Sequence, residues 1–230
     1  MNEKFEHLMV RAEQLITRIE SILPQPMAAP DWSVAVAWRY RKRSSGHGAL
    51  EPVRHIGVMQ LESLKEIDLQ KEKIRRNTLQ FVEGKPANNV LLTGARGTGK
   101  SSLIKACLNE FSGQGLRLIE VDKADLTDLP DIVDTVAERP EKFIVFCDDL
   151  SFEDGEPGYK ALKSILDGSV SAASPNVLIY ATSNRRHLLP EHMKDNLTYT
   201  HTDDGEVHPG EVIEEKISLS ERFGLWVSFY

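Results

Sequence analysis

Apolar and polar positions along this chain follow two periods, and the switches between them mark out its elements. Over 3–23, Phe5, Leu8, Met9, Ala12, Leu15, Ile16, Ile19, Ile22 and Leu23 recur at three- and four-residue intervals. That spacing predicts an amphipathic helix with one apolar and one charged face, ended by Pro24 and Pro26. The apolar face calls for a cover, either the rest of the domain or a partner. Its polar side mixes acids with bases, which argues against a membrane-surface role. Over 31–43 the period drops to two, with Trp32, Val34, Val36, Trp38 and Tyr40 alternating. This predicts an edge strand that closes in the basic run Arg39-Tyr40-Arg41-Lys42-Arg43, followed by a linker over 44–48. Bases interleaved with aromatics could hold a nucleic-acid backbone or stack its bases. A basic edge that guards a strand is the simpler reading and the one favoured.

From residue 62 onward the two periods alternate. Helices are predicted over 62–82, 129–137 and 158–168, and strands over 89–93, 116–121, 143–147, 176–181 and 225–229. The third strand, Phe143-Ile144-Val145-Phe146-Cys147, is apolar throughout, as a parallel strand covered on both faces has to be. The expected fold is therefore α/β, a three-layer doubly wound arrangement around a five-stranded parallel sheet. Its ligand would sit at the strands' C-terminal ends. Residues 1–50 are expected to form a helical and extended N-terminal appendage, and 51–230 the α/β core.

Composition narrows this only slightly. The 230 residues are 40% apolar and 27% charged, enough for one α/β domain with an appendage. A net charge of −7 argues against nucleic-acid binding by the whole surface. Cys107 and Cys147 lie in apolar runs with no CxxC pair, so buried thiols and a reducing, cytoplasmic setting are expected. No apolar run reaches the roughly 18 residues of a membrane span, and the charged N-terminus is no secretory signal. The acid-rich segment 195–216 reads as a surface loop, with His201 and His208 giving a less favoured metal-site alternative.

The chemistry concentrates at 94–101, Gly94-Ala95-Arg96-Gly97-Thr98-Gly99-Lys100-Ser101, a full G-x-x-x-x-G-K-[ST] string between a strand and a helix. Glycines let the backbone turn its N–H groups onto a phosphate, and the following helix aims its positive end at the same place. The cradle comprises Gly94, Ala95, Arg96, Gly97, Thr98, Gly99, Lys100, Ser101 and Ser102. Lys100 is placed to reach the β- and γ-phosphates of ATP, and the Ser101 hydroxyl to ligate Mg²⁺. The third strand ends in Asp148, a second Mg²⁺ ligand, and Asp149, a candidate for polarising the attacking water. The fourth ends near Asn184, able to reach between that water and the γ-phosphate. Arg222, just before the fifth strand, is suited to complete the site of a neighbouring subunit.

In this order GARGTGKS, FIVFCDD, ATSN and SERFG resemble the Walker A, Walker B, sensor 1 and arginine-finger boxes of AAA+ ATPases. The longer strings LLTGARGTGKSSLIKA, CDDLSFE, YKALKSIL, NVLIYATSNRRHLLPE and SLSERFGLW are similar, over 55–230, to a bacterial AAA+ family known as domain of unknown function 815. The resemblance implies ATP as ligand, a five-stranded AAA+ core and a cytoplasmic setting. With the arginine finger it points to a homo-oligomeric ring in which Arg222 acts in trans. It also implies an adenine pocket near Ile67 and Asp68, and it supplies no protein client. Two departures stand out. AAA+ ATPases usually carry Glu where this chain has Asp149, so hydrolysis is expected to be slow or helped by Glu153. The chain also stops at Tyr230, directly after the fifth strand, where AAA+ proteins continue into a helical lid with a sensor 2 arginine; the lid is expected to be missing.

Overall fold

One sheet of seven strands carries the molecule, two more than the five-stranded sheet expected from the sequence. The computed structural model describes residues 2–22, 30–42, 48–152, 156–167, 174–185, 188, 200–201, 207–208 and 219–230. The elements are α1 (Asn2–Ile22), β1 (Ala37–Lys42), β2 (Gly48–Pro52), α2 (Asp68–Val82), β3 (Val90–Gly94), α3 (Lys100–Phe111), β4 (Leu116–Glu120), α4 (Leu129–Val136), β5 (Lys142–Cys147), α5 (Pro157–Leu166), β6 (Val177–Ser183), β7 (Thr200–His201), β8 (Val207–His208) and β9 (Leu225–Phe229). Strand order in the large sheet is β2-β1-β4-β5-β6-β3-β9. The five predicted strands are β3, β4, β5, β6 and β9, contiguous and parallel. Their C-terminal ends therefore share one edge.

Alternation along β5 builds the three layers. Phe143, Val145 and Cys147 join Leu129, Ile132 and Val136 of α4 and Leu162 of α5 on one face. Ile144 and Phe146 meet Ile74 and Phe81 of α2 and Leu103, Ile104 and Leu108 of α3 on the other. Every residue from Phe143 to Cys147 is at most 1% exposed, which is why this strand shows no polar position. The helix predicted over 62–82 starts later, at Asp68. Glu66 has a positive φ of 60° and Ile67 is non-helical, so only a short turn at Leu61–Ser63 precedes it.

The segment over 31–43 departs from expectation. The strand begins only at Ala37, because Trp32 turns inward and packs edge-on against Trp38 and Phe143, with ring centroids 5.1 and 4.7 Å apart. Burying that indole outweighs lengthening the ladder. Nor is β1 an edge, since β2 pairs with it antiparallel on one side and β4 parallel on the other. Gly48, the last residue of the expected linker, opens β2, and no strand was expected over its other four residues. A Cβ on Gly48 would lie 1.8 Å from the Tyr40 hydroxyl, so the hairpin closes only with glycine there. Trp38 and Tyr40 are each 2% exposed and offer no ring for a base to stack on. Arg39 and Lys42 are held at 2.8 Å by Glu120 and Asp128; Arg43 lies outside the described residues.

The apolar face of α1 finds no cover on the domain among the described residues. Phe5, Leu8, Leu15, Ile16 and Ile19 keep 54–67% of their surface exposed. β7 and β8 pair antiparallel, Thr200 with His208 and His201 with Val207; the rest of the expected loop over 195–216, and Glu153, lie outside the described residues. Among described residues no cluster of three or more His, Cys, Asp or Glu could hold a metal, and no helix is long and apolar enough to cross a membrane.

Both cysteines are fully buried, which pushes each thiol up to about 12. At pH 8 neither carries appreciable thiolate. A thiol-reactive dye is expected to leave the native chain unmodified at pH 8 and to label both residues once the chain is unfolded, as counted by absorbance or intact mass.

Candidate functional site

Three adjacent strand ends meet at one edge of the sheet. β3 gives way to the glycine-rich loop, β5 to Asp148-Asp149 and β6 to Ser183-Asn184. They enclose a cleft of about 240 Å³ lined by Arg96, Gly97, Gly99, Lys100, Ser101, Ser102, Asp148, Asp149, Thr182 and Asn184. Gly97 and Gly99 adopt φ of 84° and 91°, the left-handed region that lets the loop fold back on itself. Gly99 precedes α3 with no side-chain cap, so the helix's first N–H donors have no side-chain acceptor competing for them. Thr98 closes the loop by donating to the Ala95 carbonyl at 2.8 Å.

Gly94 carries a different constraint. Its φ is 144°, and a Cβ there would lie 2.2 Å from the Phe229 carbonyl oxygen of β9. Gly94→Ala therefore combines backbone strain with a clash against main chain. A loss of roughly 2–5 kcal/mol is expected, seen as a fall in melting temperature of about 5–15 °C by calorimetry.

Lys100 is 5% exposed. Its ammonium donates to the carbonyls of Gly94 and Ala95, both at 2.7 Å, and to Asn184 Oδ1 at 3.1 Å. Burial lowers its pKa against the opposing pull of Asp148 and Asp149. A group this desolvated gains strongly from an anionic partner. Ser101 Oγ donates to Asp148 Oδ1 at 2.6 Å, bridging the first turn of α3 and the end of β5. Thr182 Oγ1 donates to the same oxygen at 2.5 Å and accepts the Asp149 N–H at 2.9 Å.

Asp149 takes a positive φ of 52°. Asn184 Nδ2 donates to its Oδ1 at 2.5 Å, and the Arg96 guanidinium stands 3.7 Å from its other oxygen. Asn184 thus links Lys100 to Asp149. Of the residues singled out from sequence, the loop, Asp148, Asp149 and Asn184 are brought together. Thr182 is the one missed. Its signal was the β5–β6 register, Cys147 opposite Ala181, which sets Asp148 beside Thr182.

Arg222 stands elsewhere. β9 runs parallel to β3, with Leu225 opposite Val90 and Phe229 opposite Gly94. Arg222 therefore lies at the strands' N-terminal edge, at least about 13 Å of strand away from its own loop. There it pairs with Asp167 at the end of α5. Ile67 borders the loop, its Cδ1 within 3.6 Å of where a Cβ on Gly99 would be. Asp68 points outward to Lys71, its side chain 83% exposed.

The sequence profile described as "Protein of unknown function (DUF815)" matches residues 33–230. The chain belongs to the DUF815 family. In this DUF815 protein the matched stretch takes in the whole seven-stranded sheet and leaves α1 outside. No curated protein matches its sequence. Similar solved structures include DnaI, at 19% identity and TM-score 0.47, covering 86% of this chain and 95% of that one. Aeropyrum pernix Orc1 in complex with DNA is similar at 14% identity and TM-score 0.48, covering 72% of this chain and 45% of that one. The Thermotoga maritima RuvB Holliday junction branch migration motor gives 15% and 0.40, with 74% and 47% covered. The DUF815 chain thus spans under half the length of the Orc1 and RuvB chains. Its fold is an α/β arrangement in which a glycine-rich G-x-x-x-x-G-K-S loop joins β3 to α3 at the C-terminal edge of the parallel strands.

Proposed function

We propose that this chain binds ATP with Mg²⁺ and hydrolyses it, in a homo-oligomeric ring and in the service of remodelling a protein client. One observation carries the reading: the hydrogen bond from Ser101 to Asp148, made beside a buried lysine at the mouth of a glycine-rich loop. Hydroxyl and carboxylate oxygens are hard donors of the kind Mg²⁺ takes, so Ser101 and Asp148 fit the ion. Bound there, it neutralises phosphate charge and orients the γ-phosphate. Lys100 exchanges the carbonyls of Gly94 and Ala95 for phosphate oxygens. The N–H groups of 97–102 cradle the polyphosphate, and Ile67 lies against the adenine. Asp149 accepts a hydrogen bond from the attacking water, with Asn184 holding that carboxylate in place. Arg222 of a neighbouring copy stabilises charge developing on the transferred group. Protein is favoured over nucleic acid as client, because the rings in 38–40 are buried and their neighbouring bases paired.

A second reading, a switch that binds ATP and rarely hydrolyses it, is favoured by Asp149 itself. Its carboxylate, one methylene shorter than that of glutamate, is tied to Asn184 at the wall of the cleft. Phosphate release by the full chain, with Mg-ATP and with EDTA, decides. Sustained magnesium-dependent turnover supports the ATPase and excludes the switch. Tight binding without turnover supports the switch, and absence of both binding and turnover overturns either reading.

A further inference from the structure

Apart from Glu3, the charged residues of α1 repeat with the same seven-residue period as its apolar seam. Phe5, Leu8, Ala12, Leu15, Ile19 and Ile22 alternate steps of three and four, a heptad seam over the three heptads of the helix. Met9 and Ile16 widen it to three apolar positions per heptad. Bases recur every seven residues at Lys4, Arg11 and Arg18, and acids every seven at Glu6, Glu13 and Glu20. At about 100° per residue, the bases fall on the flank beside Leu8 and Leu15, and the acids on the opposite flank beside Met9 and Ile16. The described side chains of both columns, Arg11, Arg18, Glu6 and Glu13, are exposed, like the stripe between them.

This arrangement selects its own occupant. When two such helices lie face to face in parallel, the left flank of one meets the right flank of the other, so bases meet acids. When they lie antiparallel, like flanks meet, bases against bases and acids against acids. Each opposed pair is worth only a few tenths of a kcal/mol, but the like-charged arrangement loses what the other gains, and the columns set orientation while apolar burial sets affinity. Three apolar positions per heptad suit a helix that packs on two neighbours, not one. Copies related by rotation about a common axis hold their helices parallel, and the base column of each then meets the acid column of the next.

We propose that α1 is a self-association element: the helix of one copy packs in parallel, in register, on α1 of a second copy, in a bundle closed by cyclic symmetry. The element lies outside the nucleotide cleft and the stretch matched by the family, and it acts without nucleotide. It is independent of the role given to Arg222.

Sedimentation of the full chain without nucleotide, up to about 100 µM, tests this. The wild type is expected to associate with concentration. Leu8→Glu removes one buried leucine per helix and should raise the dissociation constant at least about tenfold. Its melting temperature should stay unchanged, because Leu8 touches no core. Arg11→Glu with Arg18→Glu should associate more weakly than the wild type, as should Glu6→Lys with Glu13→Lys, and the two variants mixed should associate more tightly than either alone. Leu8→Cys reports orientation, since both native thiols are buried. Parallel packing sets position 8 against itself and yields a disulfide-linked dimer on oxidation. A monomeric wild type, association indifferent to Leu8→Glu, or association without the Leu8→Cys cross-link would each overturn the proposal.

Discussion

Lys100→Ala is expected to remove nucleotide binding, while Arg222→Ala leaves binding intact and removes turnover. The two residues sit at opposite edges of the sheet, so the same nucleotide cannot meet both from one copy of the chain. The Lys100 ammonium is nearly enclosed, and among the described residues it donates to two loop carbonyls and Asn184, with the acids more distant. Without it, a bound Mg-polyphosphate keeps only the loop amides, the ion and Arg96 to offset its charge. A loss of affinity of roughly a hundredfold or more follows, read as the disappearance of heat in a calorimetric titration with Mg-ATP. Arg222 lies outside its own cleft, so its loss should leave that heat unchanged and lower phosphate release by about a thousandfold, the low end for an arginine acting on phosphoryl transfer. Equal loss of binding in both variants would contradict action in trans.

Asp149→Glu is expected to accelerate hydrolysis, by as much as about a hundredfold. One methylene advances the carboxylate by about 1.5 Å, and a misplacement near 1 Å at a reacting centre costs about that factor. The aspartate cannot make up the distance by bending, because its backbone is already in the left-handed region and Asn184 holds its oxygen at 2.5 Å. Glutamate is less at ease with that φ than aspartate. The melting temperature must therefore accompany the single-turnover rate of phosphate release. A stable variant with the wild-type rate would show that Asp149 does not orient the water.

What was legible in the sequence was what chain neighbours determine. The loop's glycines, its lysine and its hydroxyl are consecutive, and the apolar run of β5 announces a covered strand by composition alone. Thr182 was not legible, because its role rests on the pairing of Cys147 with Ala181, residues from strands with α5 between them. The β1–β2 hairpin was missed for a different reason. β2 buries only Leu50 among its five residues, too little to mark a strand, and its glycine read as linker although it makes room for Tyr40. Trp32 fitted the alternation of a strand and instead left it for the core, a choice that only the position of Phe143 explains.

The close pairing of Gly94 with Phe229 also ties the first residue of the phosphate loop to the last strand of the sheet. β9 begins three residues after Arg222 and finishes against the hinge of the phosphate loop. Because the last residue of β9 lies beside a glycine with no room for a Cβ, the placement of the sheet's last strand and the start of the phosphate loop depend on each other.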